Sequence, residues 1–117
     1  MLYSTEMKTF DNWMVQVRKG ILEVCILNAL EERERYGYDL VKTLVALPGL
    51  GVTEGTIYPL LSRLKLQGLV QTRLEGSSTG PARKYYLVTK EGKKMVETMN
   101  TQLDKLIKSV RELNGTR

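Results

Sequence analysis

Apolar positions along this chain change their period several times, and the changes divide it into elements. Over residues 10–34 they recur at helical spacing on two stripes. One stripe is Leu22, Cys25, Ile26, Ala29 and Leu30; the other is Phe10, Trp13, Met14, Val17, Ile21 and Val24. At about 100° per residue the two stand roughly 130° apart. A helix with two greasy faces is buried on two sides, and in so small a protein the second cover is expected from another subunit. Residues 1–9 are polar and unpatterned, which reads as a loose arm or a short first turn. The charged run 31–35 reads as a stop.

A short helix opens next with Tyr36, Gly37, Tyr38, Asp39 and Leu40, carrying Leu40, Val41, Leu44 and Val45 on its inner face. One proline and two glycines within residues 47–51 break it. Residues 52–68 then form the stretch with the most to say. Thr53 is placed to cap a helix through its hydroxyl, and Val52 with Ile57 to staple it. Ile57, Leu60, Leu61 and Leu64 make one apolar face, and Gly68 ends the pattern. Gly55, Tyr58, Pro59 and Ser62 fall on the opposite face, with Thr56 and Arg63 at its edge. That face lacks the carboxylates and lysine pairs of an ordinary solvated helix. A small residue, a phenol, hydroxyls and a guanidinium suit a helix lying in a DNA groove; a plain amphipathic helix with an unusual surface is the alternative. Pro59 removes the bond to the Gly55 carbonyl, which in an ordinary helix interior costs ~3 kcal/mol. It either sets how a bent helix start meets its partner or is a harmless kink.

After Gly68 the period falls to two. Residues 69–74 and 83–88 read as strands, joined by a polar loop over 75–82 that is too long for a tight turn. A basic hairpin behind a helix-turn-helix is a wing, and Arg83 and Lys84 stand where it would reach phosphates or a minor groove. Protection of an edge strand would call for the same charges. Thr89 caps a last helix whose seam is Val96, Met99, Leu103, Leu106, Val110 and Leu113, stepping three, four, three, four, three. That seam and the second stripe of the first helix are each without an obvious cover. They bury together at a dimer interface, or against each other within one chain. The expected architecture is mainly α with a small β-hairpin: a winged helix-turn-helix over 1–88 and a C-terminal dimerisation helix over 89–117.

Composition narrows the chemistry. The chain has 117 residues, 42% hydrophobic and 26% charged, as expected of one globular domain. It has no histidine and one cysteine, Cys25, which lies mid-stripe as a packing thiol would. Histidine general bases, thiolate metal clusters and internal disulfides are excluded, and no metal or cofactor is expected. No stretch is apolar enough to span a membrane and no basic start precedes an apolar run, so cytoplasmic residence is expected. The net charge is +5, yet residues 42–94 hold nine basic side chains against three acidic ones, +6 by themselves. One basic surface facing a polyanion fits this distribution, as does a mildly basic solvated surface.

The runs RKGILEVCILNALEERERYGYDLVKTL, GVTEGTIYPLLSRLKLQGLV and GPARKYYLVTKEG resemble the PadR family of bacterial transcriptional regulators. The resemblance is nearly continuous over 18–92, and the GTIYPLLSRL and RKYYLVTKEG blocks are specific to that family. It implies a homodimeric winged helix-turn-helix repressor on an operator with inverted-repeat character, released in many members by a small molecule. It implies DNA-facing roles for Tyr36, Tyr38, Thr53, Gly55, Thr56, Tyr58, Pro59 and Arg63, with Arg83 and Lys84 in the wing. The single C-terminal helix resembles the short subfamily. Some of its members hold flat aromatic drugs between tryptophans on that helix, but this chain has no aromatic residue after Tyr86, and its one tryptophan is Trp13.

The reading is therefore a DNA-binding homodimer whose interface uses Trp13, Met14, Val17 and Ile21 with the heptad seam. Trp13 is the candidate effector contact, or else simply core. An enzyme is disfavoured, because no nucleophile-base pair or metal set can be assembled. A dimerising winged module that contacts protein instead of DNA is the alternative.

Overall fold

The computed structural model describes residues 4–76 and 79–115. Helix α1 (Thr5–Glu32) begins well before residue 10. Ser4 is extended and its hydroxyl accepts from the Met7 N–H at 3.1 Å, with Glu6 in the first turn. This polar cap starts the helix before any apolar stripe begins. Of the stretch expected to be a loose arm or a short first turn, Thr5 onward is part of the helix; residues 1–3 lie outside the described residues.

The charged stop conceals a strand. β1 (Arg35–Tyr36) pairs with the wing and makes the sheet three-stranded, where a two-stranded hairpin was expected. Arg35 is only 8% exposed. Its Nε donates to the Ala29 carbonyl at 2.9 Å and its Nη2 lies 3.4 Å from the Glu32 carboxylate. Arg35 thereby satisfies a carbonyl that the end of α1 would leave orphaned. A buried, hydrogen-bonded arginine cannot be told from a surface one by charge pattern.

Helix α2 (Gly37–Val45) follows at once. A Cβ on Gly37 would stand 3.1 Å from the Tyr86 ring, so the close approach favours glycine. The turn after α2 carries Gly49 and Gly51 at φ 79° and 64°, and tucks Leu50 and Val52 into the core. Helix α3 (Glu54–Leu66) lays Ile57, Leu61 and Leu64 onto that core, and Val52, the residue before the N-cap, is buried in the same cluster. Thr53 does sit at the N-cap, but its hydroxyl makes no cap bond to the backbone. It lies 3.3 Å from the Thr56 hydroxyl instead, so the expected cap is corrected to a hydroxyl pair. Gly68, at φ 77°, turns the chain out of the helix.

Strands β2 (Val70–Glu75) and β3 (Arg83–Val88) pair from Val70↔Val88 to Glu75↔Arg83 in a sheet of order β1-β3-β2, all antiparallel. β2 is one residue later than expected, because Leu69 is buried and bonds across to the last helix before the ladder begins. Ser77 and Ser78 of the wing loop lie outside the described residues.

Helix α4 (Lys90–Glu112) is capped as expected: the Thr89 hydroxyl accepts from the Gly92 N–H at 3.0 Å and donates to the Gly68 carbonyl at 2.7 Å. Its first turns belong to the common core. Val96 is fully buried there, and Met99 and Ile21 of α1 are partly buried against the same core. Val96 therefore has no surface to offer a partner, and the expected intermolecular seam is corrected at that residue. Farther along, Asn28 and Asn100 exchange side-chain amide bonds of 2.9 and 2.8 Å, which fix α4 on α1. Beyond them Leu106, Ile107, Val110 and Leu113 are exposed, as are Phe10 and Trp13 near the start of α1.

Candidate nucleic-acid interface

The sheet alternation decides which tyrosines face out. In β3, Tyr86 is buried in the core, so Tyr85 points the other way. Tyr36 stands opposite Tyr85 in the β1–β3 register, and their rings meet at 5.9 Å between centroids. Tyr38, one helical step into α2, approaches Tyr36 at 6.3 Å. Three phenol rings thus make one aromatic patch where α2 joins the sheet.

Cations surround it. The Arg83 guanidinium lies over the Tyr36 ring at 4.9 Å, Arg73 over Tyr85 at 4.6 Å, and the Lys42 ammonium over Tyr38 at 5.4 Å. They are not equivalent. Arg73 is bound to the carboxylates of Glu34 and Glu75, the latter at 3.2 Å. That pairing holds the Glu34 carboxyl below its usual range, first through the hydrogen bond. Glu75 faces Arg83 across the strands yet is used by Arg73. No carboxylate among the described residues pairs with Arg83, Lys84 or Lys42, so their charge remains available to an anion.

Tyr58 on α3 borders the same patch. Partial burial, then the Glu54 charge and then Tyr36, raises its phenol above the ordinary range. The Tyr86 phenol is raised by burial and then by Tyr58. Both stay neutral at physiological pH, able to donate as well as accept hydrogen bonds. Gly55, Tyr58, Pro59 and Ser62 are all exposed on the outer face of α3, with Thr56 and Arg63 on the edge turned toward α1. Thr53 is exposed just ahead of them. A Cβ on Gly55 would meet nothing within 4 Å, so the free fold does not require glycine there.

Arg63 has a partner that sequence patterning did not anticipate. Its Nη2 is bound to the carboxylate of Glu23 on α1. A cleft of about 690 Å³ lies alongside, between α1 and α3. Its other cations are also engaged: Arg18 donates to the Leu50 carbonyl at 3.1 Å and Lys19 to Gln16 at 3.4 Å. Trp13 is not part of that cleft. It stacks at a tilt on Phe10, 6.1 Å away, on the open face of α1. Cys25 is half-buried against the core, and burial pushes its thiol up, away from nucleophilic use. No helix of the described residues is long and apolar enough to cross a membrane, and no three metal-ligating side chains among them converge.

Helix, turn, helix and basic hairpin place an outward helix face and free cations on one side of the molecule, the arrangement of a winged helix. The family model for PadR-like transcriptional regulators matches residues 26–98, more than half of the chain. The chain belongs to the PadR-like family. It is similar to a PadR-like transcriptional regulator from Bacillus cereus, at 37% identity, with 87% of this chain and 99% of that one covered and a TM-score of 0.76. A PadR family transcriptional regulator from Eggerthella lenta is 32% identical and superposes with a TM-score of 0.80 over 94% of this chain and 96% of the other. An uncharacterised protein from Lysinibacillus sphaericus is 30% identical over 77 residues, 64% of this chain and 71% of its own length. The chain is thus a DNA-binding winged-helix transcriptional regulator, of a family whose members are not normally enzymes.

Proposed function

We propose that this PadR-like regulator acts as a homodimeric repressor on an operator with inverted-repeat character and is released by a small molecule. The observation that carries the DNA-facing assignment is the continuity of the α3 outer face with the tyrosine patch and with Lys42 and Arg83, cations that no carboxylate among the described residues holds. In this reading α3 enters the major groove with Gly55, Tyr58, Pro59, Ser62 and Arg63 toward the bases. Tyr36, Tyr38, Thr53 and Thr56 lie at its flanks and the wing takes phosphates. Two copies are needed, because a palindromic site is read by a two-fold protein.

The proposed dimer surface joins Trp13, Met14 and Val17 of α1 to Leu103, Leu106, Val110 and Leu113 of α4. Trp13, Leu106, Val110 and Leu113 are exposed in the single chain and Met14, Val17 and Leu103 are half-buried, and exposed apolar side chains along a helix seam suit an interaction surface. An effector seated there, against Trp13, would alter the spacing of the two recognition helices.

The test is a footprint on the DNA immediately upstream of the protein's own coding region. An inverted repeat protected there, with random duplex bound only at low salt, is the expected result. Equal binding to every duplex, with no protected segment, would overturn the operator reading.

A further inference from the structure

The position of Glu23 carries a consequence for how Arg63 works. By helical period Glu23 points with Leu27 and Leu30 toward the body of the protein, not toward solvent. Its side chain is 23% exposed, and the guanidinium of Arg63, itself 55% exposed, is its only ion-pair partner among the described residues. A carboxylate so placed adds little to solubility, and losing its partner would leave a partly desolvated charge unpaired. The pair uses one terminal nitrogen of Arg63. The rest of the planar fork is left for a second acceptor, and such a fork suits the two acceptors on the major-groove edge of guanine.

Resting on the proposed DNA reading, we infer that Glu23 is a positioning residue that turns Arg63 from a phosphate contact into a base-reading one. Held from behind, the guanidinium is biased away from the backbone, and its charge is offset by Glu23. Arg63 then contributes selectivity and little of the salt-dependent affinity. Arg83 and Lys84 do the reverse. Selectivity of the recognition helix thus depends on a residue of α1 that never touches DNA.

The experiment compares the parent protein with Glu23→Gln on two duplexes: the sequence the parent enriches from a randomised pool, and the unselected pool. Glu23→Gln should bind the unselected pool more tightly, with a salt slope steeper by ~0.9 as the freed guanidinium reaches a phosphate. Its preference for the enriched sequence should fall by roughly ten-fold, the scale of one bidentate base contact. Adding Glu23→Gln to Arg63→Ala should not lower the preference for the enriched sequence any further. If Glu23→Gln does not fold, Arg63→Lys keeps the ion pair but loses the fork. It should hold pool affinity and lose preference at one base pair. A parent that enriches nothing would overturn the DNA reading and this inference together. A parent that enriches a sequence which Glu23→Gln, or Arg63→Lys, prefers equally well, at an unchanged slope, would overturn this inference alone.

Discussion

Gly92 of α4 packs directly on the Leu69 carbonyl, and that carbonyl accepts the Thr89 N–H at 3.0 Å. A Cβ at residue 92 would overlap both the carbonyl oxygen and a Val88 methyl. Neither the backbone nor a β-branched neighbour can yield without moving α4 off the sheet. Gly92→Ala should therefore cost on the order of 1–3 kcal/mol, the range for overpacked cores, read as a lower denaturation midpoint at unchanged slope. An unshifted midpoint would mean that α4 is not seated on Leu69.

Gly55 is the opposite case. Nothing lies within 4 Å of its missing Cβ, and it sits in the first turn of α3, where glycine weakens a helix by ~0.5–1 kcal/mol relative to alanine. Gly55→Ala should raise stability by about that amount and at the same time weaken operator binding, because a backbone that must approach DNA closely is what remains to explain the glycine. Stability and affinity rising together would remove Gly55 from the interface.

The contrast between these glycines shows what was legible in the sequence. The α3 stripe, its terminating Gly68, the wing and the Thr89 cap follow from period and local chemistry, which act over a few residues. β1, buried Arg35 and the Glu23–Arg63 pair do not, because each is created by a partner distant in sequence. Arg35 and Glu23 are ordinary charged residues by composition; only packing reveals that one faces a carbonyl and the other a guanidinium. Val96 fits the heptad step as well as Leu106 does, but the start of α4 lies over the sheet and the end does not. Tyr85 is the same case: its alternation with Tyr86 is visible in the sequence, while its neighbour on β1 is not.

Tyr58 tests the groove assignment at low structural risk. It lies off the buried stripe of Ile57, Leu61 and Leu64. Tyr58→Ala should weaken operator binding by ~1–3 kcal/mol, the worth of a base contact, while leaving the melting transition nearly in place. An operator bound as tightly as by the parent would move the readout elsewhere.

The cations of the wing should separate by their partners. Arg83→Gln and Lys84→Gln should each weaken specific and random DNA alike and flatten the salt slope by ~0.9. Arg73→Gln should leave the slope unchanged at neutral pH, since Glu34 and Glu75 already hold that charge. The Glu34 carboxyl is depressed by Arg73, so the pairing is intact above the ordinary carboxylate range. It is lost only as pH falls through the lowered value. A slope that flattens for Arg73→Gln at pH 7 would show that the carboxylates release it to DNA.

The dimer prediction rests on the exposed end of α4. Leu106, Val110 and Leu113 are 54%, 56% and 89% exposed, and Leu103 is half-buried. Burying a leucine is worth ~1.5–3 kcal/mol, and a two-fold interface counts each residue twice. Two aspartates there, Leu103→Asp with Leu106→Asp, would put four charges into one apolar seam. The double variant should sediment at half the parent mass with its helical content retained, because the core at Val96 and the Asn28–Asn100 bonds lie outside the change. Operator affinity should collapse with the dimer, since one half-site cannot hold a protein that needs two. Trp13, 58% exposed beside Phe10, supplies the second readout. Its emission should shift to the blue in the parent relative to the monomeric variant as the partner's helix excludes water. It should change again on adding a true effector. An unchanged mass, or a Trp13 spectrum indifferent to the double substitution, would place the dimer surface on another face.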